Sequence, residues 1–216
     1  KAPLKLHDQI YLRLQGALIA GEFEPGQGFA MRALAERFGT SFIPVRDALK
    51  RLVGDGVLKM TAGRTVFIPI MSRSRFLDIV RVRMMLEPDL ALRATDLMTE
   101  IQIAEMAAID VRMQASVGDA DPVTYLMMNY NFHFLLYRAA QREVALPIVQ
   151  ALWLQAGPFL SYLFRANGTV NAKSHHAAVI SALRRRDPIG VSEAIRLDLS
   201  DAADVILSRE QFASPG

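Results

Sequence analysis

Between Met31 and Leu52 the apolar positions recur at helical spacing in two short runs separated by one glycine. In the first run Met31, Leu34, Ala35 and Phe38 share a side while Arg32, Glu36 and Arg37 fall opposite, the pattern of a helix with one buried face. Gly39 follows at once, where a left-handed residue closes a helix. In the second run Val45, Ala48, Leu49 and Leu52 form the buried stripe and Arg46, Lys50 and Arg51 lie outside it. Ser41 stands at the N-cap position and Pro44 in the first turn, where a proline is tolerated. Two short helices around a glycine turn, the second basic near its start, predict a helix-turn-helix. Behind it, Val57–Met60 and Thr65–Ile68 flank the turn Thr61-Ala62-Gly63-Arg64 and end at Pro69, which predicts a two-stranded wing. Ahead of it, Ile10, Leu14, Ala17 and Leu18 align along a first helix from Leu6 to Ala20, and Glu24-Pro25-Gly26-Gln27-Gly28 reads as a turn.

Past the polar connection Met71-Ser72-Arg73-Ser74 the periodicity becomes wholly helical. The boundary between an N-terminal domain, residues 1–71, and a C-terminal domain, residues 72–216, is expected there. Helices are predicted at about 74–95, 98–117, 122–140, 144–165, 171–186 and 188–210, the fourth broken near Gly157-Pro158. The fold class is therefore mainly α: an N-terminal winged helix-turn-helix followed by an all-α antiparallel helical bundle. Val144 to Phe164 carries no charge, yet Pro147, Gln150, Gln155, Gly157, Pro158 and Ser161 interrupt it. It is read as a helix pair buried in a bundle or at a dimer contact rather than a membrane span.

Composition adds two constraints. Zero cysteines exclude disulfides and cysteine-ligated zinc, which fits a cytoplasmic protein, and the amphipathic start KAPLKLHDQIYLRL lacks the apolar core of a signal peptide. The net charge of +3 is unevenly placed: residues 1–70 hold ten Lys and Arg against six Asp and Glu, the remainder fifteen against sixteen. The basic excess lies with the helix-turn-helix, where phosphate binding would require it.

Within the C-terminal half, Asn129 and His133 fall four apart on the apolar stripe of Leu126, Tyr130, Leu136 and Ala140. His176 aligns with Ile180 and Leu183, and Asp198 with Ala194, Ile195, Ala202 and Val205. A single inward histidine is ordinarily a hydrogen-bonded core residue. Four polar groups converging from three helices instead favour a divalent metal, with two imidazoles and a carboxylate suiting zinc first, or nickel, manganese or ferrous iron. Arg83 also points inward, either as a clamp for a ligand carboxylate or as a buried pair with Glu87. Arg184-Arg185-Arg186 reads as a solvated helix end.

At residues 6–70 the segments ALIAGEFEPGQGF, LAERFG, SFIPVRDALKRL and DGVLKMTAGRTVFI resemble the winged helix-turn-helix of GntR-family transcription regulators. At 76–207, RVRMMLEP, NYNFH, HHAAVISALRRRDP and LDLSDAADVI are similar to the helical ligand-binding domain of its FadR-like, FCD-containing subgroup. The resemblance implies DNA contacts from Arg32, Ser41, Arg46 and Gly63. An arginine fork can read a guanine edge or a phosphate, and a glycine lets backbone approach the minor groove. Phe42 departs from the family, which usually carries arginine there. A phenylalanine can touch only a thymine methyl or a sugar, so Arg32, Arg46, Lys50 and Arg64 are left to supply phosphate contacts. For the metal, the resemblance implies Asn129, His133 and His176 as ligands, with Asp198 where a third histidine is expected and His175 as the alternative.

These residues lead to one expectation and two rivals. The expected protein is a cytoplasmic homodimer, not an enzyme and not membrane-bound, whose affinity for operator DNA is controlled by a small carboxylate bound in the metal-containing helical domain. One rival is a small metal-dependent hydrolase built on the His/Asp/Asn cluster, which would need a general base, and beyond the cluster itself Glu87 is the sole inward carboxylate near these motifs. The other keeps the DNA-binding module and makes the bundle a dimerisation domain alone.

Overall fold

The computed structural model describes residues 5–118, 121–167, 175–208 and 212. The first helix, α1, spans Leu6–Ile19, and α2 (Met31–Phe38) and α3 (Phe42–Gly54) form the helix-turn-helix. Gly39 adopts a left-handed conformation at φ 61°, and the amides of Gly39 and Thr40 close α2 onto Glu36 and Ala35. Ser41 occupies the N-cap position of α3 in extended conformation, yet its hydroxyl makes no capping hydrogen bond. The stripes meet as expected: Leu34, Ala35, Val45, Ala48, Leu49 and Leu52 are buried against Ile10, Leu14 and Leu18 of α1.

The wing consists of β2 (Lys59–Met60) and β3 (Val66–Phe67), antiparallel, with Lys59 opposite Phe67 and Met60 opposite Val66. At its tip the left-handed residue is Arg64, φ 61°, rather than Gly63. A side chain at Gly63 would meet only the Thr61 hydroxyl at 3.8 Å, so the fold itself does not demand glycine there. A third strand, β1 (Gly28–Phe29), pairs antiparallel with the other edge of β3, where the sequence predicts a turn. Two residues are too few for alternation to show in the sequence.

The remainder is helical: α4 (Arg73–Ala94), α5 (Glu100–Gly118), α6 (Pro122–Ala139), α7 (Ala145–Asn167), α8 (His176–Arg184) and α9 (Pro188–Leu207). Packing runs α4 on α9, α9 on α8, α8 on α5 and α5 on α6, with α7 against α4, α6 and α1. Both Asp-Pro pairs are helix starts, because Asp121 and Asp187 accept from the amides of Thr124 and Gly190 while Pro122 and Pro188 fill the first turn. The expected start of α8, residues 171–174, and the last residues expected in α9, 209–210, lie outside the described residues.

Two expectations are corrected. The helix read as broken at Gly157-Pro158 is continuous, with Pro158 inside α7. Gly157 lies where α7 crosses α1: a Cβ there would stand 3.1 Å from the Leu18 carbonyl oxygen, so the glycine serves close helix approach. Arg186 is not a free helix end. It follows α8 at φ 52° and donates to the carbonyls of Thr95 at 3.0 Å and Met98 at 2.6 Å, and to Glu100 at 2.5 Å, so it ties the end of α8 to the connection between α4 and α5. Among the described residues no helix is long and apolar enough to cross a membrane.

One hydrophobic cluster runs from Ile10 in α1 through Leu52 in α3 to Leu90, Phe134, Val149 and Ile195 in the bundle, so the winged module and the bundle share a core. Gly157→Val should wedge the α1–α7 crossing and destabilise the chain by about 1–3 kcal/mol, read as a lowered urea midpoint. An unchanged midpoint would show the crossing to be slack.

Candidate metal centre and nucleic-acid interface

Helix α6 sets Asn129, His133 and Tyr137 four residues apart, so all three project from one stripe. His133 is 1 % exposed and His176, at the start of α8, 2 % exposed. Their Nε2 atoms lie 3.3 Å apart, and Asp198 Oδ2 of α9 is 3.4 Å from the first and 3.8 Å from the second. Ligand atoms bound at about 2.0–2.1 Å in a tetrahedron stand roughly 3.3–3.4 Å from one another, so these three already have a spacing that suits one ion. Asn129 lines the same small cavity of about 70 Å³ as His133, Asp198, Arg83 and Trp153.

Each of the three is held from behind. His133 Nδ1 is 3.1 Å from the Tyr137 hydroxyl, His176 Nδ1 is 3.2 Å from Asp110, and Asp198 Oδ1 accepts from the His175 amide at 3.0 Å. Outer partners of this kind fix imidazole tautomer and orientation in metal sites. His175, the alternative ligand, instead turns its ring to Asp201 at 2.8 Å. Burial pushes the His133 pKa down, against an opposing pull from Asp198, and so favours the neutral, ligating form. Burial alone would raise the Asp198 carboxyl, but the His133 hydrogen bond and neighbouring imidazole charge hold it well below the usual carboxylate range.

Beneath the cluster lies Glu87, fully buried, accepting from Arg83 at 2.5 and 3.3 Å, from Trp153 at 3.0 Å and from Tyr137 at 2.7 Å. The Arg83 guanidinium also stacks on Trp153, 4.3 Å from the ring centroid. The buried pair is thus present, and Arg83 lines the cavity as well. Burial, and then the charge of Glu87, push the Tyr137 hydroxyl far above its ordinary pKa, keeping it a donor. Asp110 and Trp153 are not among the residues that the sequence singles out. Asp110 carries a signal, lying between the buried Met106 and Met113 at helical spacing, whereas Trp153 sits in an uncharged, mostly apolar run where a tryptophan reads as core.

At the other end of the chain Arg32, Ser41, Phe42, Gly63 and Arg64 are exposed and Arg46 is half-buried. Phe42 is 48 % exposed at the first residue of α3. Between α3 and the wing runs a groove of about 430 Å³ with Phe42, Leu49 and Met60 among its walls and Arg46, Lys50 and Arg64 around it. Arg46 bonds the neighbouring Asp47 at 3.0 and 3.1 Å, a half-exposed pair that a phosphate could replace. Arg51 is committed elsewhere, to Asp8 and the Tyr11 ring.

A winged helix-turn-helix joined to a helical bundle with a polar inner site is the architecture of a ligand-responsive DNA-binding regulator. Residues 78–201 match the FCD domain family and residues 6–68 match the gntR family of bacterial regulatory proteins, so the chain belongs to the GntR family with an FCD domain. It is 26 % identical over 185 residues to the HTH-type transcriptional regulator McbR of Escherichia coli K12, covering 84 % of each chain. It is 20 % identical over 219 residues to the gluconate operon transcriptional repressor of Bacillus subtilis, covering 95 % of this chain and 88 % of that one. The structure of E. coli McbR/YncC superposes with a TM-score of 0.88 at 23 % identity over 96 % of this chain and 99 % of that one. A putative GntR regulator from Rhodococcus sp. RHA1 superposes at 0.76 and 17 % identity, covering 95 % and 99 %.

The chain is a transcription regulator with an effector-binding FCD domain, not an enzyme. The hydrolytic alternative finds no support among these relatives. Its proposed base, Glu87, is moreover engaged by three donor side chains.

The two shifted groups act on stability in the same direction. His133 resists protonation when folded, so stability is lost as pH falls below its ordinary 6.5, where the unfolded chain takes up the proton. Asp198, depressed when folded, contributes stability that is present above 3.8 and lost as pH falls through its lower folded value. The metal-free protein should therefore have a lower urea midpoint at about pH 5.5 than at about pH 7.5, and His133→Leu should narrow that difference. Equal differences in both proteins would remove His133 from the account.

Proposed function

We propose that residues 1–71 bind operator DNA and that residues 72–216 bind a small carboxylate effector through a divalent ion and form a homodimer, in the cytoplasm where the operator lies. The observation that carries the sensor reading is the triad of His133, His176 and Asp198, whose ligating atoms lie within 4.8 Å of one another on three different helices. Asn129 is the fourth candidate ligand. Zinc suits the donor set best, with nickel, manganese or iron as alternatives. When bound, the ion would offer an open position to an acid group. Arg83, on the cavity wall, would supply the fork that orients the acid.

On the DNA side, Arg32, Ser41, Arg46 and Arg64 would hold phosphates or base edges, Gly63 would allow the wing backbone to approach the minor groove, and Phe42 would meet a thymine methyl or a sugar. A dimer would present two such surfaces to a two-fold-related site.

Helix α7 supports a route between the two ends. It carries Trp153 on the cavity wall, Gln150 bonded to Tyr130 of α6 at 3.0 Å and to Gln15 of α1 at 3.4 Å, and Gln155 bonded to Arg75 at 2.8 Å. Arg75 reaches on to the Gly56 carbonyl just past α3, and Tyr11 of α1 donates to Asp55, the C-cap of α3. An effector that shifts α7 would thereby act on the recognition helix.

Purified full-length protein should carry close to one transition metal per chain by elemental analysis. His133→Ala and Asp198→Ala should lose it, and failure to take up zinc, nickel, manganese or iron would sink the metal reading. Binding to selected duplexes should weaken steeply with salt, and Arg46→Ala should lower the log–log slope by about one per protomer. A salt-independent affinity, or an unchanged Arg46→Ala protein, would count against that surface. Gln150→Ala should keep metal and operator binding while reducing the effector's influence on the operator; full retention of that influence would place the route elsewhere.

A further inference from the structure

Helix α5 packs on α6 and α8 with one face and, among the described residues, leaves the other without a neighbouring helix. On that free face Ile101, Ala104, Ala108, Val111 and Ala115 are all exposed, Ile101 at 81 % and Val111 at 69 %. The spacings 3, 4, 3, 4 are those of a helix seam that packs against another helix. Isolated exposed aliphatics need no explanation, but five apolar positions in one unbroken line on a helix of 19 residues do. The outer face of α4 is mixed: it exposes Val82 and Met85, at 37 % and 73 %, but Asp78, Arg81, Asp89 and Arg93 are exposed around them and paired along their own helix, so no unbroken apolar line forms there.

We infer that this face of α5 docks the same face of a second copy of the chain, antiparallel about a two-fold axis at Ala108. The inference rests on the homodimer reading and assigns its surface. Antiparallel pairing puts Ile101 over Ala115 and Ala104 over Val111, a large side chain against a small one in each layer, with Ala108 meeting itself at the centre. Parallel pairing would stack Ile101 on Ile101 and leave Ala104 facing Ala104. Charge selects the same direction. Glu105 and Arg112, both exposed, flank the seam on one side seven residues apart, so the antiparallel arrangement sets Glu105 beside Arg112 of the second copy, twice. A parallel one would bring Glu100 beside Glu105, like against like. Alanine at three of the five positions lets the two helix backbones approach closely, and α8, next to α5, exposes the small side chains of Ala177, Ala178 and Ser181 in its first turns.

The chain has no cysteine, so Ala108→Cys carries a single thiol. The full-length Ala108→Cys protein should cross-link to a covalent dimer on mild oxidation or with a short bis-maleimide, whereas Val82→Cys on α4 should not. By sedimentation equilibrium, Ile101→Asp with Val111→Asp should weaken the dimer at least about tenfold. Should that pair disturb folding, Glu105→Arg should weaken association and Arg112→Glu added to it should restore association. A wild-type dimer that survives the Asp substitutions, ignores the charge reversal and leaves the Ala108→Cys thiol unlinked would overturn this surface while leaving dimerisation intact. A wild-type protein that stays monomeric at micromolar concentrations and above would overturn both.

Discussion

A polar side chain sealed from water must find its partners inside the protein, and Glu87 is where that constraint is strictest. It sits at zero exposure in the interior of α4, one residue before a buried proline, and its carboxylate is matched by arginine, tyrosine and tryptophan donors drawn from α4, α6 and α7. Removing one donor would leave charge uncompensated in a low-dielectric interior, which costs several times more than the pair contributes when intact. The four side chains therefore fix the relative placement of three helices. His133 inherits that placement through Tyr137, and His176 inherits its own through Asp110 on a fourth helix, α5. The ligand-like cluster is the upper layer of a polar network whose lower layer is an ordinary structural necessity.

That layering explains what can be read from the chain in advance. The helix-turn-helix is legible because its signals are local: two apolar stripes, one glycine and a basic outer face, each needing only neighbours in sequence. The inward pointing of Asn129, His133, His176 and Asp198 is legible for the same reason, since helical phase is a local property. What no local rule supplies is which inward groups meet. Arg83 has two admissible partners in the sequence, and only the positions of Tyr137 and Trp153 show how completely Glu87 is occupied. Pro158 misleads because a proline's cost is local while the crossing that retains helix around it is tertiary, set by Gly157 against the α1 backbone. Arg186 misleads likewise, for the carbonyls it bonds belong to a segment about ninety residues away. Strand β1 escapes a local reading because its pairing partner, β3, defines it, not its two residues.

The winged module meets the bundle through a shared apolar core rather than a tether. Such a contact transmits displacement because packed interiors are nearly incompressible, so movement of α7 cannot be absorbed in free volume at the α1 crossing. The polar contacts that accompany it, Gln150 to Gln15 and Arg75 to Gln155 and the Gly56 carbonyl, add direction to that coupling. They tie one helix of the bundle to both ends of the apparatus that holds α3: α1 beneath it and the chain immediately after it.

The size of the inner cavity bears on how an effector would use that coupling. About 70 Å³ has room for an ion with a water or two, whereas pockets that enclose whole metabolites usually measure several hundred. A ligand of more than a few heavy atoms would either project from the cavity mouth or displace part of its wall. Its polar wall consists of Arg83, Asn129, His133, Trp153 and Asp198, and of these Trp153 stands on α7, whose Gly157 crosses α1 closely. Displacing that indole would break its bond to Glu87 and its stacking with Arg83, so a ligand seated there would load α7 at the residue that anchors it to α4. Binding and displacement would then be coupled, and a ligand small enough to fit without disturbing Trp153 would occupy the site and leave the recognition helix where it was.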